Sequence, residues 1–461
     1  MKEKTVKPFG IKDKAGYLFG DFGNDFTFIL SSMLLMKFYS DVMGVGTTVI
    51  GLIMTVARFV DAITDVTMGQ IVDRSKPTKN GKFKPWLLRM CGPLAVTSLL
   101  MYASWFQDMS YGFKVVWIFV TYILWGSVFY TSVNIPYGSM ASAISGDPKD
   151  RAELSTWRTM GAQCAGLFIG VILPLVVYDV DTAGNQVLNG TKVSVGALLC
   201  SIGAVVCYLL CYNMCTERVK VEQKTEKFEV GKLIKSLVSN KSLIGIVVAS
   251  ICMLLVQLTQ QTMNSYVYPN YFKSVAAQSI AGVVGMAVTM LLAPFAARLS
   301  QKFGRKELSI FGAVFGAIVY AITFVIQTTN PWVYIALYAV SYIGLGIFSL
   351  TCWAMITDVI DDTEVKTGVR SDGEIYSVYS FARKLGQAAA ASVAGILLDL
   401  IGYSQATAFD PDVTQGIYNL SCLVPAIGFS LLALVLFFLY PLGKKQVEEN
   451  AKVLAEKAAN K

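Results

Sequence analysis

Ala57-Arg58-Phe59-Val60-Asp61-Ala62-Ile63-Thr64-Asp65 lies inside an apolar run that extends over residues 46–71. A run of that length is what an α-helix needs to cross a bilayer, about 20 residues at 1.5 Å each. Arg58, Asp61 and Asp65 fall at i, i+3 and i+7, so a helix puts all three on one face. A charge at the centre of such a helix costs about 2.5–3.5 kcal/mol on the insertion scale, so it requires a partner or a watery cavity. Two acids with one arginine leave one negative charge over, which a monovalent cation could balance. Carboxylate and hydroxyl oxygens suit Na+, and a buried carboxylate can equally take a proton. The plainer reading, that Arg58 braces the bundle through one acid, leaves the second acid without a purpose.

Outward from this stretch the same pattern repeats. Runs of about 20 apolar residues are predicted near 15–39, 46–71, 86–106, 113–145, 155–178 and 193–214. Six more follow near 242–264, 276–298, 308–327, 332–360, 374–401 and 416–440. The expected fold class is an all-α membrane protein of twelve transmembrane helices in two six-helix halves, the major facilitator arrangement. The halves are residues 1–215 and 242–440, joined by a charged loop at 216–241 and followed by a polar tail at 441–461. Composition agrees. The chain is 54% hydrophobic and 15% charged, against about 25% charged residues in soluble proteins. Its mean hydropathy is +0.54.

The net charge of +8 does not mark a nucleic-acid partner, because Lys and Arg fall in short connectors between apolar runs. The connectors at 73–89, 147–151, 216–241, 298–306 and 366–370 are basic or mixed, and the opposite ones hold only Lys114, Lys192 and Lys273. Under the positive-inside rule both termini and the central loop are expected in the cytoplasm. The basic N-terminus and the long first run, interrupted by Asp21 and Asp25, read as a retained span rather than a cleaved leader. The chain has no His, which excludes His-based zinc sites and Ser–His triads. Cys207, Cys211 and Cys215 recur at i, i+4 and read as small packed hydrophobes. The sequon Asn189-Gly190-Thr191 falls on the expected outside.

An echo links the halves. Gly69-Gln70-Ile71-Val72-Asp73-Arg74 with Lys79-Asn80-Gly81-Lys82 follows the second run, and Arg298-Leu299-Ser300-Gln301-Lys302-Phe303-Gly304-Arg305-Lys306 follows the eighth. Basic charge alone would suit any cytoplasmic turn; the matched glycines ask for more. Further polar residues lie within other runs: Asp21, Asn24 and Asp25 in the first, Tyr130, Thr131, Asn134 and Pro136 in the fourth, and Arg158 in the fifth. The eleventh holds Ser377, Ser380, Arg383 and Lys384. Pro136 is expected to kink its helix. Arg158 could instead be an anchor at a helix end.

Together these stretches resemble the glycoside–pentoside–hexuronide:cation symporters, the melibiose permease family of the major facilitator superfamily. The matching residues are Phe22-Gly23-Asn24-Asp25-Phe26, Ala57 to Asp65, Gly81 to Trp86 and Tyr130-Thr131-Ser132-Val133-Asn134-Ile135-Pro136-Tyr137-Gly138-Ser139. In the second half they are Asp358 to Glu364, Thr367-Gly368-Val369-Arg370 and Arg383-Lys384. The resemblance implies a cation at Asp61 and Asp65, with Thr64 and Thr131 as further oxygens. It implies a sugar at Asp25 and Arg158, with Lys384 near both sites; Asn24, Tyr130, Asn134, Ser380 and Arg383 are read as further substrate-binding residues from their place in the runs. Arg58, Arg74, Lys82, Asp361 and Arg370 are expected to brace or gate. Thr64 replaces an Asn of the type member, Asn134 an Asp, and Gly138 and Ser349 tryptophans, so the sugar differs. The runs at Val133–Ser139 and Ser380–Gln387 look nearer the glucuronide and xyloside branches.

The expected function is glycoside import with Na+ or H+ (Li+ being a further candidate) by alternating access in a bacterial inner membrane. The bilayer is the one expected partner besides the sugar; no cofactor, enzymatic activity or obligate protein partner is expected. An uncoupled facilitator, a non-transporting sugar sensor and a membrane glycosidase remain alternatives. Arg58 beside the acid pair opposes the general-acid role a glycosidase needs.

Overall fold

A computed structural model describes residues 8–219, 240–368 and 372–459. The chain divides into two compact units, Met1–Lys227 with Ser404–Ala406 and Phe228–Tyr403 with Thr407–Lys461. The expected connector at 216–241 and the gating residue Arg370 fall largely or wholly outside the described residues.

In the N-terminal half, α1 (Ile11–Leu30) continues through a π-turn at Ser31–Leu35 into α2 (Met36–Asp41). Then follow α3 (Thr47–Arg74) and α4 (Lys84–Met101). The fourth span joins α5 (Tyr111–Ile123), a π-turn at Leu124–Tyr130 and α6 (Thr131–Ile144). The fifth joins α7 (Pro148–Leu167), a π-turn at Phe168–Ile172 and α8 (Leu173–Val177). A hairpin of β1 (Tyr178–Val180) and β2 (Gln186–Leu188) leads to α9 (Gly190–Met214). The C-terminal half contains α10 (Lys241–Tyr266) with a π-turn at Val267–Tyr271, α11 (Val275–Phe303), α12 (Arg305–Ile326) and α13 (Pro331–Thr367). It ends with α14 (Asp372–Leu400), α15 (Pro411–Phe438) and α16 (Lys444–Ala459). All twelve expected runs are helical, with ends within seven residues of those read from sequence.

Among the described residues, eight of these helices are apolar and long enough to cross a membrane by composition alone. The segments outside that set (α1–α2, α3, α4 and α14) include those carrying most of the intramembrane charges. They are long enough too, since the 18 residues of α4 rise about 27 Å.

Small residues set the helix spacing, as membrane bundles require. A Cβ on Gly161 of α7 would overlap the Leu18 carbonyl of α1, and one on Gly344 of α13 would overlap the Gly312 carbonyl of α12. The first of these contacts draws α7 against α1 next to Asp21.

The echoed turns have a common cause. Gly81 and Gly304 both adopt positive φ, 112° and 98°. In each case the space of a Cβ is taken by a carboxylate, that of Glu217 or of Glu307. Glu217 accepts hydrogen bonds from the backbone N–H groups of Lys82, Phe83 and Lys84 at 2.7, 2.9 and 2.8 Å, closing the start of α4. Glu307 accepts from the Lys444 N–H at 3.1 Å. Lys84 donates to the Cys215 carbonyl just past α9, and Lys306 to the Phe437 carbonyl in the last turn of α15. Each half thus ties its third helix to the end of its sixth.

One feature goes beyond the reading of the sequence and one departs from it. The polar tail is not formless: α16 packs Val447 against the core of its half and buries Asn450, which donates to Asp362 at 3.3 Å. The fourth span is reshaped by its π-turn before Pro136 is reached, and Pro136 lies inside continuous helix.

Candidate functional site

The π-turn at Leu124–Tyr130 decides the geometry of the acid pair. It widens the backbone where α5 passes α3, a distortion common at functional sites. Ser127 and Thr131, four residues apart, thereby meet Asp61 and Asp65, also four apart. Ser127 donates to Asp61, and Thr131 donates to Asp65 at 2.8 Å. Arg58 donates to the other Asp61 oxygen at 3.0 Å, and its guanidinium carbon lies 5.6 Å from the centre of the Phe28 ring. Gly126 packs next to Asp61, and a Cβ there would lie in ordinary contact with the carboxylate, 3.6 Å away. The result is a ladder of two carboxylates and two hydroxyls between the second and fourth spans. Sequence reading found every member except Ser127, whose matching i, i+4 relation to Thr131 was the available signal. Thr64 stands apart: its hydroxyl is directed to the Val60 and Asp61 carbonyls of its own helix, at 3.1 and 3.2 Å.

A second cluster surrounds the first helix. Arg158 donates to Asp21 at 2.9 Å and lies 5.3 Å from the centre of the Tyr137 ring. It is therefore no helix-end anchor, and its ion partner is Asp21 rather than Asp25. Tyr137 is held by stacking on Tyr17, centroids 4.6 Å apart, and by donating to the Tyr17 carbonyl at 2.6 Å. Asn24 is buried, accepts from Tyr208 at 2.7 Å and donates to Asn134 at 3.4 Å. The half-buried Asp25 accepts no hydrogen bond from any described residue, although Arg158 lies within electrostatic range. Tyr130 stacks on Phe28, centroids 5.8 Å apart. Phe28 thus lies between Tyr130 and Arg58 and links the two clusters of this half.

In the C-terminal half α14 carries Ser380, exposed, with Arg383 and Lys384, both half-buried. Arg383 packs against Trp353 of α13, a residue that sequence reading passed over. It lies one helical turn beyond Ser349, on the same helix face, and that spacing was the missed clue. The Ser377 side chain lies outside the described residues. Among the residues expected to gate, Lys82 is buried and donates to the Asp73 carbonyl at 3.0 Å, while Arg74 is exposed. Asp361 lies between two acids with strong partners. Asp358 pairs with Arg305; Asp362 takes Lys366 at 2.7 Å and Ser242 at 2.8 Å. Cys207, Cys211 and Cys215 are free thiols, packed and buried. Asn189 of the sequon caps α9 and donates to Asp179.

A family model described as MFS/sugar transport protein matches residues 16–444. Over 449 residues the chain is 31% identical to a "glucuronide carrier protein homolog" of Escherichia coli K12, covering 94% of this chain and 93% of that one. It is also 31% identical over 460 residues to a "putative glycoside/cation symporter" of the same strain, covering 97% and 96%. Among solved structures, a D-xylose–proton symporter superposes with a TM-score of 0.61 at 14% identity, over 93% of this chain and 96% of that one. At that identity the likeness concerns the fold.

Proposed function

The chain belongs to the MFS/sugar transport protein family, of the major facilitator superfamily, and from that premise we propose that it imports a glycoside together with Na+ or H+. The relatives named as glucuronide carrier and glycoside/cation symporter support this reading. It would work as a carrier, not an enzyme, in a bacterial inner membrane with both termini in the cytoplasm. The observation that carries the coupling is the ladder of Ser127 with Asp61 and Thr131 with Asp65. Oxygen donors of this kind, beside a π-turn that loosens backbone carbonyls, match the way such carriers hold Na+ or a proton. Arg58 holds one oxygen of Asp61 and Thr131 one oxygen of Asp65, so both acids of the ladder present a fixed oxygen to a cation. Asp25, Asn24, Tyr130, Asn134 and Arg158 form the sugar side on the same helices. Cation at the ladder would order the fourth span, which carries Tyr130 and Asn134, and so favour sugar. The favour is returned by the same factor, because linkage is reciprocal.

Uptake of radiolabelled glycosides into proteoliposomes under an imposed Na+ or H+ gradient tests the proposal. Accumulation above equilibrium is expected with one of the two gradients. Asp65→Asn should reduce it at least 100-fold while leaving the fold intact, since Arg58 keeps its partner. Accumulation in Asp65→Asn equal to wild type would overturn the assignment of the ladder. Equilibration indifferent to both gradients would overturn coupling itself.

A further inference from the structure

Phe28 of α1 touches both clusters of the N-terminal half, and its two contacts differ in kind. The Arg58 guanidinium carbon lies 5.6 Å from the centre of its ring. The Tyr130 ring stacks on it with centroids 5.8 Å apart and planes at 25°. Phe28, Arg58 and Tyr130 are all half-buried. Tyr130 also meets the ring of Trp125, centroids 5.5 Å apart, and Trp125 is buried. Arg58 has a second tie, its hydrogen bond to Asp61 at 3.0 Å. One guanidinium is thus shared between a carboxylate of the ladder and a ring that packs on the sugar side.

That sharing depends on what else Asp61 holds. A proton on Asp61 removes the charge that attracts the guanidinium, and a metal cation beside it repels the guanidinium. Either event moves the balance of Arg58 from the carboxylate towards the ring, which a cation still attracts. The ring follows by re-seating its stack on Tyr130, and a stacked pair has a preferred geometry that transmits such a shift. The backbone on both sides allows it. Phe28 lies three residues before the π-turn at Ser31–Leu35, and Tyr130 closes the π-turn at Leu124–Tyr130. Such turns interrupt the regular helix and recur at functional sites. Phe28 also stands one turn beyond Asp25 on α1, so the residue that meets Arg58 shares a helix face with the acid of the sugar side.

We propose that Phe28 is a positioning residue that couples the cation ladder to the sugar side. Occupation of the ladder acts on Arg58, Arg58 on Phe28, and Phe28 on Tyr130. The inference rests on the reading of the chain as a cation-coupled glycoside carrier and supplies the contact through which that coupling runs. Sugar at Tyr130 acts back on the ladder along the same line, because linkage is reciprocal.

The test measures KM for uptake of radiolabelled methyl glycosides (a glucuronide, a xyloside and a galactoside) by proteoliposomes of the full chain. Each is measured at saturating and at limiting Na+, and in acid and in alkaline buffer. For a glycoside that moves, the ratio of KM at limiting cation to KM at saturating cation reads the coupling, and wild type is expected at about 5–150. Phe28→Leu, which keeps an apolar side chain and removes the ring, should bring the ratio to about 2 or less through a rise in KM at saturating cation. Phe28→Tyr, which keeps the ring, should hold it near wild type. Phe28→Met makes the same comparison should the Leu variant fail to fold. A ring that only packs would lower Tm in Phe28→Leu and leave the ratio intact, and that result would overturn the proposal. So would a ratio lost as fully in Phe28→Tyr as in Phe28→Leu; in both cases the transport reading would stand. A wild-type KM indifferent to both cations would overturn the cation-coupled reading, and this inference with it.

Discussion

The half-buried arginines deep within the spans are held differently in the two halves. In the N-terminal half Arg58 and Arg158 are each held by a carboxylate, Asp61 at 3.0 Å and Asp21 at 2.9 Å. In the C-terminal half Arg383 is held by two aromatic rings. Both solutions offset the cost of a charge within a span, but they leave different residues behind. A carboxylate partner cancels the charge and makes the pair a fixed support. A ring partner orients the charge and leaves it positive. The first half therefore presents arginine–acid pairs, whereas in the second Arg383 meets rings and no carboxylate among the described residues.

The comparison would break first at Asp21. If Arg158 is support, Asp21→Asn leaves a partly buried guanidinium unmatched, and stability should fall by about 2 kcal/mol, discounted for the exposure of Arg158. Uptake should fall with it by more than tenfold. Asp25→Asn should behave in the reverse sense: little change in Tm, and a rise of about tenfold in glycoside KM, because Asp25 accepts no hydrogen bond that the substitution would remove. Thermal unfolding with and without glycoside, alongside uptake kinetics, separates the two. Equal destabilisation by both substitutions would remove the distinction between support and sugar acid.

Much of this contrast was legible in the sequence, and its limits have physical causes. The spans follow from apolar length and loop charge, because the bilayer forces backbone hydrogen bonds into helices. The echo at Gly81 and Gly304 was legible as matched glycines. Its cause, a carboxylate lying where a Cβ would be, needs the packing of residues far apart in the chain. Arg158 was legible as a span charge in need of a partner, whereas its choice of Asp21 over Asp25 depends on the close approach that Gly161 allows. The π-turns leave no period in a sequence rich in apolar residues on every side, so Ser127 was passed over. Trp353 was passed over for a related reason: an aromatic in a membrane helix usually marks packing, and only Arg383 beside it gives it another meaning.

The next effect in size concerns Ser127. Its hydroxyl donates to Asp61, and removing a donor from a buried carboxylate costs about 1–3 kcal/mol. Ser127→Ala should weaken activation by the coupling cation by about tenfold, read as the cation concentration for half-maximal uptake, with maximal rate nearly unchanged. Thr64→Ala is the control, since its hydroxyl serves its own helix. An equal loss in the control would mean that the ladder is not what binds the cation.

The smallest effect is expected where charge pairing lies outside both sites. In the hairpin before α9, Lys192 and Asn189 donate to Asp179, half-exposed, and hold its carboxyl below the ordinary value of 3.8. Such a depressed group stabilises the fold only while ionised. Its contribution is complete above the ordinary carboxylate range and is lost as pH falls through the still lower folded value. Asp179→Asn should thus lower Tm slightly near neutral pH, the difference from wild type should shrink below about pH 4, and uptake should not change. A Tm difference that instead grew in acid would reverse the sign of this pairing. A loss of uptake as large as that of Ser127→Ala would show that pairing a carboxylate with a cation does not by itself mark a supporting role, since here it would serve transport from outside the spans.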